Sequence, residues 1–172
     1  MRAYAKIVDD ETKLVIVGTG SDSEYYKSIG FSEMDIEQAY NGSYYLQGHA
    51  PQKPLEEYKK EKLSQLQALK NQKLSEFSYQ DKIYQIDESS KVNINGKISA
   101  ILLSQNTESP ITQVNWIAKD NSITQFSTAE FLLFSQAIAN YIESVLFKHD
   151  ELRTRVNSAS SIDEIKAIEW AD

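Results

Sequence analysis

Ser127-Thr128-Ala129-Glu130-Phe131-Leu132-Leu133-Phe134 is the stretch of sequence that decides the fold of this chain. Ser127 and Glu130 have the spacing of a capping box, in which a serine hydroxyl and a glutamate carboxylate bind free amide groups at a helix N-terminus. Apolar side chains then recur at helical spacing as far as Val156. The pattern predicts one long helix whose apolar stripe packs against a core.

Shorter elements on both sides of this helix complete a predicted α+β C-terminal unit, residues 77–172. Each is bounded by turn residues or by a residue type that caps helices. The predicted elements are a hairpin over 77–86, a helix capped by Ser89 or Ser90, strands over 114–118 and 123–126 joined by Asp120-Asn121, and a short last helix begun by a second capping box at Ser161 and Glu164.

The N-terminal residues 1–50 read as a separate β-rich module. Alternating apolar residues near Tyr4 and the apolar run Leu14–Val17 predict a first hairpin. Asn41-Gly42 predicts a second, since a type I′ turn needs positive φ at both central residues and this pair tolerates it. We therefore expect a small antiparallel meander of four strands.

A linker helix is predicted between the two units, over residues 51–76. Pro54 suits the first turn of a helix, and residues 55–75 contain neither Gly nor Pro but many Lys, Glu, Gln and Leu. The apolar stripe is narrow and lacks a regular heptad spacing. A helix that docks on the protein or crosses solvent is favoured over a coiled coil.

Composition excludes several classes of protein. The 172 residues include no cysteine, which rules out disulfide scaffolds, thiol catalysis and cysteine-ligated metal sites. A net charge of -7 argues against non-specific nucleic-acid binding, which needs clustered cations. The acidic N-terminal segment is unlike a signal peptide, and no apolar run approaches the ~20 residues of a membrane helix. We expect a soluble protein of the cytoplasm.

Catalytic and cofactor motifs are weak. His49 and His149, the two histidines of the sequence, fall in different predicted units. Gly18-Thr19-Gly20 resembles the start of a dinucleotide fingerprint, but the acidic residues after it oppose pyrophosphate binding, and a loop is favoured. Acidic pairs such as Asp9-Asp10 and Asp87-Glu88 are expected at turns and caps. We predict no enzyme activity, no cofactor and no metal site.

Ten tyrosines are the remaining signal, and two doublets, Tyr25-Tyr26 and Tyr44-Tyr45, are candidate partner contacts. Adjacent side chains of a strand point to opposite faces, so one tyrosine of the second doublet should face outward. Outward tyrosines are common at interfaces because a rigid apolar ring carries a polar tip. Packing in the core or at a sheet edge is nevertheless the favoured interpretation, and a binding surface is the alternative.

Several motifs in the C-terminal unit occur in an order that resembles a known domain. The matching segments are Phe77-Ser78-Tyr79, Asp87-Glu88-Ser89-Ser90, Trp116-Ile117-Ala118-Lys119-Asp120-Asn121, Ser127-Thr128-Ala129-Glu130-Phe131, Phe147–Arg153 and Ile162–Trp170. Together they resemble a domain of unknown function that recurs in bacteriophage and prophage tail proteins, often near the end of tail-fibre and tail-fibre assembly proteins. The first unit is similar to small phage tail modules through Gly30-Phe31, Asn41–Leu46 and Ala50-Pro51.

The resemblance implies a non-enzymatic accessory protein of a tail fibre. It would act as an assembly chaperone or adaptor, bind a trimeric fibre chain, and work as a monomer or homo-oligomer in the host bacterial cytoplasm or on the virion tail. No binding of nucleic acid or membrane is implied. A receptor- or carbohydrate-binding module is the alternative, with Tyr44, Tyr45 or Trp116 against a sugar, although the context of Trp116 favours a core position. A glycosidase built from scattered carboxylates is disfavoured.

Overall fold

The computed structural model describes residues 1–171 and has two compact units. The first is Met1–Tyr58, and the second begins at Lys59. The protein is mixed α+β, with antiparallel strands at its N-terminus and a long C-terminal helix, which confirms the predicted fold class.

The first unit is a closed barrel of four antiparallel strands. Its elements are β1 (Arg2–Asp9), β2 (Leu14–Val17), α1 (Ser23–Ser28), β3 (Ser32–Gln38) and β4 (Tyr44–Leu46). The strand order β1-β2-β4-β3 differs from the sequential order of the predicted meander. Because β3 pairs with β1 and β4 with β2, the sheet closes and its edges are removed. Ala5, Val15 and Ile36 form the small buried core.

The turn between β3 and β4 also differs from the prediction. Left-handed φ is found at Gly42 but not at Asn41, so this is not a type I′ turn. The Ala39 carbonyl accepts a hydrogen bond from the Gly42 amide at 3.0 Å. The Asn41 side chain accepts one from the Ser43 amide, also at 3.0 Å. The asparagine is held by this side-chain bond, and the glycine alone supplies the left-handed residue.

Helix α2 (Leu55–Lys73) begins directly after Pro54, and the boundary between the two units falls within it. Its Leu66 is 2% exposed and joins an apolar cluster with Leu152, Val156 and Ile168 of the second unit. The Lys62 ammonium donates to the Ile168 carbonyl at 2.9 Å. From Lys59 onward this helix is therefore docked in the second unit.

The rest of the second unit combines two antiparallel strand pairs with three helices. Its elements are β5 (Glu76–Tyr79), β6 (Lys82–Gln85), α3 (Glu88–Ser104), β7 (Gln113–Ile117), β8 (Ile123–Ser127), α4 (Thr128–Ser158) and α5 (Ile162–Lys166). β5 pairs with β6 and β7 with β8. The 31 residues of α4 make a helix roughly 46 Å long.

Three helix caps test the sequence rules in detail. The capping box of Ser127 and Glu130 is present as predicted. Helix α3 is capped by Asp87, whose carboxylate accepts from the Ser90 amide at 2.8 Å, and not by Ser89 or Ser90. Asp87 is the N-cap residue because its carboxylate accepts a hydrogen bond from the amide of Ser90, three residues further along the chain. Ser161 caps α5, but Glu164 accepts from the Ser160 amide, one residue before the position that a complete box requires.

Aromatic rings form the centre of the second unit. Tyr84, Phe126, Phe131 and Phe134 are all fully buried. The Phe134 ring centroid lies 4.7 Å from that of Tyr84 and 5.2 Å from that of Phe126. Rings from β6, β8 and α4 thus meet at one point, and Ile94 and Ile101 bring α3 onto the same core. This core fixes the positions of α3 and α4 relative to each other.

Candidate functional site

The four tyrosines proposed as partner contacts are used mainly for packing. Tyr25 is 56% exposed and offers its ring to solvent. The Tyr26 hydroxyl accepts a hydrogen bond from the Gly20 amide at 2.9 Å, and its ring lies 5.2 Å from that of Phe31. Tyr44 packs against the barrel core, and Tyr45 is 9% exposed. Neither ring of this doublet is fully exposed to solvent, since Tyr44 is half-buried and Tyr45 is buried.

The acidic groups noted in the sequence stabilise turns and helix starts. The Asp9 carboxylate accepts from the Thr12 hydroxyl at 2.8 Å and from the Glu11 amide at 2.9 Å. These bonds favour the ionised form and hold the pKa of Asp9 below its usual range. The cap residue Asp87 likewise has a lowered pKa, through the Ser89 hydroxyl first. Carboxylates held in this way stay ionised and are poor proton donors at neutral pH.

Neither histidine belongs to a cluster of metal-ligating side chains within residues 1–171. His149 lies beside Trp170, with ring centroids 6.4 Å apart. Burial, followed by the charges of Lys70 and Arg153, lowers the pKa of His149. Among residues 1–171, no group of three or more His, Asp or Glu side chains is arranged to hold a metal ion.

An apolar groove lies between α3 and α4 in the second unit. Its volume is about 810 Å³. Helix α3 contributes one wall through Ile94 and Ile98, and α4 contributes the other through Leu132, Ile142 and Leu146. Helical spacing on α4 carries the lining from Leu132 to Phe147, a length of roughly 22 Å. The groove therefore has the dimensions and chemistry to hold a helix of about four turns.

Two small side chains lie in the middle of the α4 wall. Ser135 and Ala139 line the groove one turn apart. The Ser135 hydroxyl donates to the Phe131 carbonyl within the helix at 2.8 Å, which satisfies its polar atom. Gln136 and Ile138 line the same part of the wall, so its centre combines small, polar and larger apolar side chains. Phe147, 68% exposed, stands at one end.

The charge available at the groove is negative. Lys91 lines the α3 side, but its ammonium is paired with Glu88 at 2.7 Å. Glu143 lines the α4 side and is exposed. Among the described residues 1–171, it has no hydrogen-bond or ion-pair partner. A partner that places a cation over Glu143 would gain a charge pair there.

Sequence reasoning missed this groove because it predicted a single apolar stripe on this helix, packed against a core. The sequence contains two pairs of adjacent apolar residues one turn apart, Tyr141-Ile142 and Val145-Leu146. Adjacent residues lie about 100° apart around a helix, so these pairs make the apolar surface wider than a single packed face requires. In the structure Val145 is buried, whereas Leu146 is exposed and lines the groove. An unusually wide apolar arc was the available signal.

Comparison with known proteins assigns the second unit to a family. Within residues 1–171, no helix is long and apolar enough to cross a membrane. No curated protein and no solved structure matches the chain. One family model, described as a domain of unknown function (DUF4376), matches residues 57–171, from the first turn of α2 to the end of the described chain. The match covers more than half of the sequence, so this chain belongs to the DUF4376 family.

Proposed function

We propose that this protein is a non-enzymatic accessory protein of a bacteriophage tail fibre, which acts by binding the fibre chain as an assembly chaperone or adaptor. The observation that carries the proposal is the apolar groove between α3 and α4. Support for the phage context comes from the order of motifs in residues 77–172, which resembles a domain of phage tail proteins.

The groove fits an amphipathic helical segment of the fibre partner. Apolar side chains spaced three and four residues apart would lie along Leu132, Ile142 and Leu146, as in other helix-in-groove complexes. A lysine or arginine on the flank of that segment would meet Glu143. The net charge of -7 favours approach of the same kind of basic partner over a longer range.

Fibre assembly creates a need for such binding. Intertwined trimers form through non-local β pairing, which is slow and leaves apolar surface exposed in the unassembled chain. A protein that covers an apolar segment until the trimer closes would reduce aggregation. If this protein stays bound to the fibre after assembly, the same contact would hold it there as an adaptor.

Co-expression with the tail-fibre protein proposed as its partner tests the proposal. We expect more soluble trimeric fibre in the presence of the wild-type protein. Leu146→Gln should abolish most of this gain because it places a polar group in the groove. Leu133→Gln is the matched control, since Leu133 is exposed on the same helix but does not line the groove.

Two results would overturn the proposal. One is a fibre that reaches the same yield of soluble trimer without this protein. The other is equal loss of yield with Leu146→Gln and Leu133→Gln, which would show that the groove is not the contact. Mass spectrometry of purified particles then separates the two modes of action: an adaptor is retained at fixed stoichiometry, and a chaperone is absent.

A further inference from the structure

A second, smaller pocket lies in the same unit and has a different chemistry from the groove. Its volume is about 310 Å³, at the lower end of the range for small-ligand sites. Three elements meet around it: β6, the first turns of α3, and β7. The lining residues are Gln85, Ser90, Asn93, Asn115, Trp116 and Ile117.

Neutral polar groups dominate this pocket. No charged side chain lines it. In the described part of the chain, residues 1–171, the carboxamides of Gln85, Asn93 and Asn115 make no hydrogen bond to another group. Each carboxamide offers an acceptor oxygen and two N–H donors. The pocket therefore presents paired donors and acceptors without charge, which matches a ligand rich in hydroxyl groups.

Trp116 supplies an apolar surface that is held in place by the core. Its ring centroid lies 5.3 Å from that of Phe131, which is fully buried at the start of α4. Trp116 is half-buried, so it is part of the core, as the sequence suggests, and also lines the pocket. Beside it, Ile117 is 64% exposed. A ring fixed by packing loses little freedom when a ligand binds.

We infer that this pocket binds one ring of a neutral pyranose sugar, free or at the end of a glycan. The C–H face of the ring would contact the part of Trp116 that lines the pocket, and its hydroxyls would exchange hydrogen bonds with the carboxamides of Asn93 and Asn115. This site is separate from the apolar groove, and the inference does not depend on the proposed function.

Saturation-transfer NMR on the full chain tests the inference, with glucose, galactose, mannose and N-acetylglucosamine as probes. We expect transfer to the ring protons of at least one sugar, with millimolar affinity. Asn93→Ala and Asn115→Ala should each weaken that affinity about 2- to 10-fold, the range for one lost hydrogen bond. Both side chains are exposed, so neither variant should disturb the fold.

Asn95→Ala is the matched control. Asn95 is exposed on the same helix as Asn93, two residues away, but it lines the apolar groove. Its variant should bind the sugar as the wild type does. The inference is overturned if none of the four sugars receives saturation, if Asn93→Ala and Asn115→Ala leave the affinity unchanged, or if Asn95→Ala weakens it equally. Binding of an uncharged proline-rich peptide in place of every sugar would assign the Trp116 surface to protein contact.

Discussion

The ring of Tyr26 occupies the space that a side chain at Gly18 would need. A Cβ atom at Gly18 would lie 2.7 Å from Cε1 and 2.8 Å from Cζ of Tyr26. The ring is held by Phe31 and by the hydrogen bond from the Gly20 amide, and it cannot easily move away. The two glycines that resemble a nucleotide-binding motif are thus explained by close packing against a tyrosine.

Gly18→Ala should destabilise the barrel by about 1–3 kcal/mol through this overlap. Urea denaturation followed by circular dichroism measures the loss. In a Tyr26→Ala background the same substitution should cost much less, because the overlapping ring is gone. An equal cost in both backgrounds would show that Gly18 is required for another reason.

Leu66→Ala should lower the free energy of unfolding of the second unit by about 2–5 kcal/mol, the cost of truncating a fully buried leucine. The reason is that Leu66 packs on Leu152 and Val156. Chemical denaturation followed by tryptophan fluorescence reports on this unit, which contains both Trp116 and Trp170. Leu69→Ala, on the same helix but 38% exposed, is the control and should cost far less.

The hairpin of β5 and β6 turns through Gln80 and Asp81, which both have left-handed φ, 47° and 60°. This is the type I′ arrangement, made without the asparagine and glycine that favour it. Left-handed backbone costs an L-residue roughly 1–2 kcal/mol, so Asp81→Gly should raise the stability of the second unit by part of that amount. A lower melting temperature for Asp81→Gly would contradict this account of the turn.

Acid should weaken the first unit in part through Glu37. Its carboxylate accepts from the Gly48 and Ala50 amides, both at 2.8 Å. The Ala50 bond above all lowers the pKa of Glu37 from its ordinary 4.5. Because the folded pKa is the lower one, this stabilisation is complete above pH 4.5 and is lost as the pH falls through the folded value.

Melting temperatures of the wild type and of Glu37→Gln, measured from about pH 7 to about pH 3, check this prediction. The wild type should be the more stable protein at neutral pH, and the difference should shrink in acid. The pKa values of Asp87 and Glu130 in the second unit are also lowered, so that unit loses stability in acid as well. This loss should be the same in both proteins. Parallel pH profiles for the two proteins would contradict the role given to Glu37.

Features fixed by neighbouring residues could be read from the sequence, and features fixed by distant contacts could not. The capping box of Ser127 and Glu130 depends on residues three apart and was predicted in full. The order of the barrel strands depends on which strand β3 pairs with, and in the structure that strand is β1. The alternation of apolar and polar residues within a strand does not determine its partner. Cap residues and turn types could be predicted only in part. The sequence indicated a helix start near Ser89 and Ser90, but three neighbouring residues can serve as the N-cap and Asp87 is the one that does.

The candidate site was hidden for the same reason. Tyr44 and Tyr45 attract attention in the sequence, but pairing with β2 and β3 places them in or near the barrel core. Leu146 looks like one more core residue of a long helix. Its exposure depends on which face of α4 contacts α3 and the strands, and local spacing does not determine that face.

Methyl NMR of the wild-type protein, alone and mixed with the proposed tail-fibre partner, shows directly whether the groove is the binding surface. We expect binding to shift the methyl signals of Ile98, Ile142 and Leu146, which line the groove, and to leave that of Leu133 unchanged. Glu143→Lys should weaken the complex and reduce its dependence on salt. A complex that shifts methyl signals elsewhere while those three groove signals stay in place would contradict the account.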